Sequence, residues 1–280
     1  MRTKIITDST ADLPRDILLR YDVGVTPLYI IKDGVEYRDG VTITPADIFR
    51  HVEEGGALCT TAAVSEYDYR QAFSQYAHRY DAVIQITIGS GFSACYRNAC
   101  EASQGFENVF VVNSENLSTG QGHVVLAAAR MAEKGVPAPE IVSALNALVP
   151  RVEASFLLDR LDYMKKGGRC SAVTALGANM LHIKPCIEVK GGKMTVVKKY
   201  RGSFAKCISH YVKDRLDGRE DIQRDTVFIT HPAATEEAVE AARQAVNAYG
   251  SFTEVWESHA GCTVSCHCGP NTLGVLFVRK

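Results

Sequence analysis

The chain has 280 residues, 46% hydrophobic and 22% charged, the balance of a soluble globular protein with room for two domains. Its 31 basic and 32 acidic side chains nearly cancel to a net charge of −1, which argues against nucleic acid or a charged membrane surface as a partner. No apolar run approaches the ~20 residues of a membrane-spanning helix. The N-terminus runs straight into a strand at Lys4–Thr7, with no signal peptide expected. Nine cysteines without a secretory signal are expected to be reduced thiols in a cytoplasmic protein.

In chain order, Ile5–Thr7 leads into the polar segment Asp8-Ser9-Thr10-Ala11-Asp12, with Asp12 as the expected cap and Pro14 in the first turn of a helix over Arg15–Tyr21. Val25–Ile31 reads as one strand, turned back on Val35–Tyr37 by the hairpin pair Asp33-Gly34. Thr44-Pro45 opens a helix that stops at Gly55-Gly56, and Cys59–Ala63 reads as a small-residue loop. Ser65–Tyr80 carries Tyr69, Ala72, Phe73, Tyr76 and Ala77 at helical spacing, a pattern that suits a core face better than a stacking platform. Ala82–Thr87 is short, apolar and β-branched, as in a buried parallel strand. It runs into Gly89-Ser90-Gly91-Phe92-Ser93, a strand-to-helix turn with Ser93 expected as N-cap. Backbone N–H groups, a helix dipole and two hydroxyls there suit an anion or carboxylate, and an ordinary tight turn explains the same residues. Asn108–Asn113 is a further strand, followed by helices to about Lys134 and over Pro139–Val149.

Strand–helix alternation through residue 150 implies a parallel sheet covered by helices. Hydroxyl-bearing strand exits recur at Ser9, Thr61, Ser93 and Ser114, and in such sheets ligands bind beyond the carboxyl ends of the strands. A domain boundary is placed at Pro150-Arg151, giving domains 1–150 and 151–280. The second half reads as a strand at Ser155–Leu158, a solvated basic loop around Lys165-Lys166-Gly167-Gly168-Arg169, and a helix over Ser171–Leu181. A hairpin turns at Gly191-Gly192, and a helix runs from Ser203 to about Leu216. Strand Val227–Thr230, helix Glu236–Tyr249, strand Thr253–Trp256, a Cys-, Gly- and Pro-bearing loop and strand Val275–Val278 complete the chain.

Three constellations bear on chemistry. Gly91-Phe92-Ser93-Ala94-Cys95 approaches the nucleophile elbow G-x-S-x-G, with Cys95 in place of the last glycine. With His267 and Asp8 or Asp12 it suggests a serine hydrolase, the alternative enzymatic reading. Cys262, Cys266, His267 and Cys268 suggest a zinc shell or simply packed thiols, with His267 alone available to hydrogen-bond an anion. The lysines and Arg169 of the basic loop suit a phosphate or plain solvation, and the spacing is not that of a P-loop.

Together these segments resemble the DegV family of bacterial fatty-acid-binding proteins. The resemblance spans essentially the whole chain. It is carried by Thr7-Asp8-Ser9-Thr10-Ala11-Asp12-Leu13, Val25-Thr26-Pro27-Leu28, Gly89-Ser90-Gly91-Phe92-Ser93 with Tyr96, and Leu161-Asp162-Tyr163-Met164-Lys165-Lys166-Gly167-Gly168-Arg169. Ile183-Lys184-Pro185, Tyr200-Arg201-Gly202, Thr230-His231 and Ser265-Cys266-His267-Cys268-Gly269-Pro270 complete the order. It implies a two-domain α/β fold, a parallel helix-covered sheet followed by a C-terminal α/β domain with a mixed sheet. A long-chain fatty acid is expected between the domains, with no other cofactor and no metal. The family's carboxylate positions fall on Thr61, Ser93 and His267, a pocket-side arginine on Arg169, and a kinase-contacting position on Arg201. Met180 and Leu181 are the expected tail-lining residues. The resemblance further implies a non-catalytic carrier that presents the carboxylate to a separate fatty acid kinase for acyl-phosphate synthesis in phospholipid metabolism. Cys266 and Cys268 depart from the residues usual beside this histidine.

Overall fold

The computed structural model describes residues 2–174 and 183–280. The strands of the first half are β1 (Thr3–Asp8), β2 (Gly24–Thr26), β3 (Tyr29–Lys32), β4 (Val35–Arg38), β5 (Thr60–Ala62), β6 (Ala82–Thr87) and β7 (Val109–Asn113). Those of the second half are β8 (Val152–Leu157), β9 (Ile183–Lys190), β10 (Lys193–Arg201), β11 (Thr226–His231), β12 (Glu254–His259) and β13 (Leu273–Val278). The strands β2-β1-β6-β7 form a parallel sheet. Every residue of β6 is buried, as expected for a strand covered on both faces. The order β10-β9-β8-β13-β11-β12 forms a mixed sheet, in which only β11 and β12 pair in parallel.

Val25–Ile31 is not one strand. Pro27 has no N–H to donate to a ladder, and the chain changes sheets there. β2 ends the parallel sheet, while β3 enters a separate antiparallel sheet in the order β4-β3-β5. Asp33 and Gly34 turn the β3–β4 hairpin with φ of 52° and 78°, the left-handed pair that a two-residue hairpin requires. The segment read as a small-residue loop supplies β5, which places Thr61 opposite Ile30. Two other expected loops are short helices, Asp162–Gly167 and Cys262–Cys268. Of the helix read over Ser171–Leu181, the described part is Ser171–Thr174, and Met180 and Leu181 lie outside the described residues.

The helix Ser118–Glu133 is the hub of the core. Its residues Ser118–Leu126 are all buried, and it packs against strands of both large sheets. Thr119 shares a 2.6 Å hydrogen bond with Thr230 of β11, and Gln121 donates to Thr7 and Asp8 of β1 at 2.9 Å. His123 reaches the carbonyl of Leu276 at 3.0 Å and meets the Phe228 ring edge-on.

Burial drives the His123 pKa from 6.5 down to about 4. The native state therefore refuses a proton that the unfolded chain accepts between those values. The contribution is intact above pH 6.5 and is lost as pH falls toward 4. At about 1.4 kcal/mol for each tenfold change in proton affinity, the full loss is on the order of 3 kcal/mol. Urea unfolding from pH 7 to pH 4 is expected to show His123→Gln, which still donates to Leu276, losing about that much less stability than the unmodified chain.

Candidate functional site

The helix Cys262–Cys268 carries His267, and its start is held by the first half of the chain. Asp12 accepts the Gly261 N–H at 2.8 Å. Asp39 accepts from Cys262 N at 2.8 Å, Thr263 N at 3.0 Å and the Thr263 hydroxyl at 2.7 Å. Three N–H groups that a helix start leaves without partners are thus satisfied by two buried carboxyls. Asp12, the cap expected from the sequence for the helix that follows it, does not cap it; Pro14 stands at that helix start with no side-chain cap bond. The Asp12 backbone is left-handed at φ 48°, and its side chain turns to Ser118 and Gly261. Burial first, and then the neighbouring Asp39 and Asp8, raise its pKa to about 8 against the pull of those two donors.

So positioned, His267 Nε2 lies 2.9 Å from the hydroxyl of Thr61 on β5. Both border a cavity of about 210 Å³, together with Ser93 and Arg169. Four residues read from the sequence therefore converge, although Thr61 and His267 are 206 positions apart. The remaining wall is mostly apolar, with Leu28, Phe92, Leu117, Met194 and Val264 prominent. These apolar residues were not singled out in the sequence, where nothing separates them from ordinary core. A smaller cavity of about 30 Å³ shares Leu117, Val264 and Cys268 as walls and reaches Phe156 and Leu276 of the mixed sheet.

Ser93 is not the N-cap of its helix, which spans Cys95–Ser103 with Ala94 at the cap. The turn from Gly89 to Phe92 takes up the intervening residues, and the Ser93 oxygen accepts from Cys95 N at 3.3 Å. The four hydroxyl-bearing exits do not share one crevice. Ser9 bonds Asp39 and the Leu28 N–H, while Ser114 is buried against Asn116. Arg201 is exposed at the end of the edge strand β10, outside the cavity lining.

Burial, and then the positive Arg169, push the His267 pKa from 6.5 down to about 4, so the imidazole is neutral at pH 7. The Arg169 guanidinium is itself exposed and donates to the Gly167 carbonyl at 2.8 Å. Among the described residues, the buried His267 Nδ1 has no hydrogen-bond partner.

The hydrolase relay is not assembled. Ser93 donates to the Cys95 sulfur at 3.2 Å, and His267 is engaged by Thr61. Asp8 is enclosed by Thr10, Gln121 and the Ile88 N–H, and Asp12 by Ser118 and Gly261. The zinc shell fails on geometry too. Cys262 and Cys266 pack in one apolar cluster and Cys268 in another. Among the described residues, the three-donor grouping is instead His231, Glu257 and His259 on β11 and β12, where Arg243 already pairs with Glu257 at 2.7 Å. No described helix is long and apolar enough to cross a membrane.

The family described as "Uncharacterised protein, DegV family" matches residues 2–280. A DegV domain-containing protein of Caldanaerobacter subterraneus subsp. tengcongensis is 32% identical over 278 residues, 99% of this chain and 98% of that one. A DegV family protein from Thermus thermophilus, described for its fatty acid binding, superposes with a TM-score of 0.91 at 31% identity over 100% of both chains. A Thermotoga maritima protein, described as revealing fatty acid binding function, gives a TM-score of 0.86 at 26% identity, again over 100% of both.

Gly167 backs directly onto the imidazole: a Cβ there would lie 2.3 Å from His267 Nδ1. Gly167→Ala is expected to displace the ring, break the Thr61–His267 hydrogen bond and cost about 1–3 kcal/mol. Imidazole ¹⁵N spectra together with urea unfolding check both effects.

Proposed function

The chain belongs to the DegV family, and from that premise we propose that it is a carrier of one long-chain fatty acid. The observation that carries the reading is the Thr61–His267 pair at the polar margin of an otherwise apolar cavity, with Ser93 on the same wall. The hydroxyls of Thr61 and Ser93 donate hydrogen bonds to the carboxylate, a neutral His267 shares its single Nε2–H between the Thr61 oxygen and the carboxylate, and Arg169 adds positive charge. The fatty acid binding described for the Thermus and Thermotoga proteins supports the ligand class. Residues 1–150 and 151–280 are taken as the two domains, whose walls meet in this cavity.

The tail supplies affinity and the head group supplies orientation. About 15 methylenes at ~0.8 kcal/mol each correspond to roughly 12 kcal/mol of gross transfer energy, part of which ordering the chain consumes. The smaller cavity behind Leu117 and Val264 is the proposed continuation of the tail path.

The finer proposal is that the bound carboxylate is presented to a separate fatty acid kinase, which makes the acyl-phosphate used in phospholipid synthesis. On this reading the carrier is not itself the catalyst. Arg201, exposed on β10 and outside the cavity lining, is the proposed partner contact.

Calorimetric titration with palmitate tests the head-group assignment. A hydrogen bond to a charged group contributes ~1.5–3 kcal/mol, so Ser93→Ala and Thr61→Val are each expected to weaken binding by roughly 10- to 100-fold. Unchanged affinity in both variants would remove these hydroxyls from the site. Arg201→Glu is expected to bind palmitate normally yet lose at least tenfold in acyl-phosphate formation when a fatty acid kinase from a DegV-containing bacterium and ATP are supplied. Undiminished turnover would place the partner contact elsewhere.

A further inference from the structure

Thr230-His231 ends strand β11, and successive residues of a strand face opposite sides of the sheet. Thr230 meets Thr119 of the hub helix, so His231 turns to the other face, where the helix Glu236–Tyr249 packs. Parallel pairing sets His231 beside His259 of the edge strand β12. Glu257, two residues before His259, shares its face. Two imidazoles and a carboxylate therefore gather at the carboxyl ends of two parallel strands, a common place for a ligand in such sheets. None of the three lines either cavity described above.

The distances suit an ion. His231 Nε2 and Glu257 Oε1 stand 3.3 Å apart. Donors ~2.0–2.1 Å from a tetrahedral zinc stand roughly 3.3 Å from one another, so this pair already spans one edge of the shell. The His259 donor lies within 4.8 Å of the other two, and its ring meets that of His231 edge-on. His231 is buried and holds one corner, whereas Glu257 and His259 are exposed and can close on it. Arg243 takes Glu257 Oε2 at 2.7 Å and Glu240 at 2.6 Å, which leaves Oε1 turned toward His231. One guanidinium facing two carboxylates leaves the surroundings net negative.

We propose that His231, Glu257 and His259 bind a divalent zinc ion, with the remaining coordination position left to water. This site is distinct from the cysteines of the His267 helix. Imidazole nitrogen suits zinc, whereas magnesium and calcium prefer shells built of oxygen. His231 coordinates through Nε2, so its ring takes the Nδ1–H tautomer and gives up the long 3.3 Å bond from the Ala234 N–H.

The full-length protein, stripped with a chelator, is titrated with zinc chloride while imidazole ¹⁵N spectra are recorded. The expected result is one ion per chain, with the ring nitrogens of His231 and His259 shifting and those of His51, His78 and His210 unmoved. Cobalt(II) in place of zinc separates this site from the nine thiols, because nitrogen and oxygen donors give ligand-field bands without sulfur-to-cobalt charge transfer. His259→Ala and Glu257→Gln are each expected to weaken zinc binding by roughly tenfold or more. Both residues are exposed, so neither substitution opens the core. No stoichiometric zinc, a cobalt spectrum carrying the thiolate band, or affinity unchanged in both variants overturns the assignment. The three residues lie outside the lipid cavity, so failure here and failure of the palmitate titration are separate results.

Discussion

Everything at the ligand cavity depends on how a seven-residue helix, Cys262–Cys268, is anchored at its start. So short a helix is not stable on local hydrogen bonds, and its Cys, Thr, Val and Ser content offers little helical propensity. Asp12 and Asp39 supply what is missing. They accept its first backbone N–H groups at the positive end of its dipole. Both carboxyls come from the first 39 residues of the chain, so the N-terminal segment fixes where His267 points. Gly167 then closes against the back of the imidazole, leaving Nε2 directed at Thr61.

The cavity divides its labour by polarity. Its apolar walls come from both halves of the chain, with Leu28, Phe92 and Leu117 facing Met194 and Val264. The turn Gly89–Phe92 lies hard against the β9–β10 hairpin. A Cβ on Gly91 would sit 2.1 Å from the Gly192 carbonyl, so only glycine lets the two backbones approach that closely. The polar margin consists of hydroxyls and an uncharged imidazole, which in the proposed carrier align a carboxylate without burying an opposing charge. The exposed guanidinium of Arg169 adds positive charge while remaining hydrated.

Elements with strong local patterning were legible in the sequence. The runs forming β6, β7 and β13, the Asp33-Gly34 and Gly191-Gly192 hairpins and the Thr44-Pro45 helix start all lie where residue chemistry places them. The errors fall where distant contacts override local preference. Residues 262–268 read as a loop because their helix depends on carboxyls more than 200 positions away. β5 read as a loop because a three-residue edge strand has too few positions to show alternation. Asp12 was assigned the local capping role its type favours, whereas its partners are Ser118 and Gly261. Thr61 and Ser93 as hydroxyl-bearing strand exits, Arg169 in a basic loop and His267 as an anion donor each carry a local signal, but only the motif resemblance joins them into one site. Spacing alone could not join them, and Asp39, on which the His267 helix rests, had no sequence signal at all.

The most direct test is to denature freshly purified protein gently, extract it with organic solvent and identify the released small molecule by mass spectrometry. One long-chain fatty acid per chain, absent from extracts of Ser93→Ala and His267→Ala, is the expected result. A protein that releases no fatty acid and takes up none when palmitate or oleate is added contradicts fatty-acid carriage.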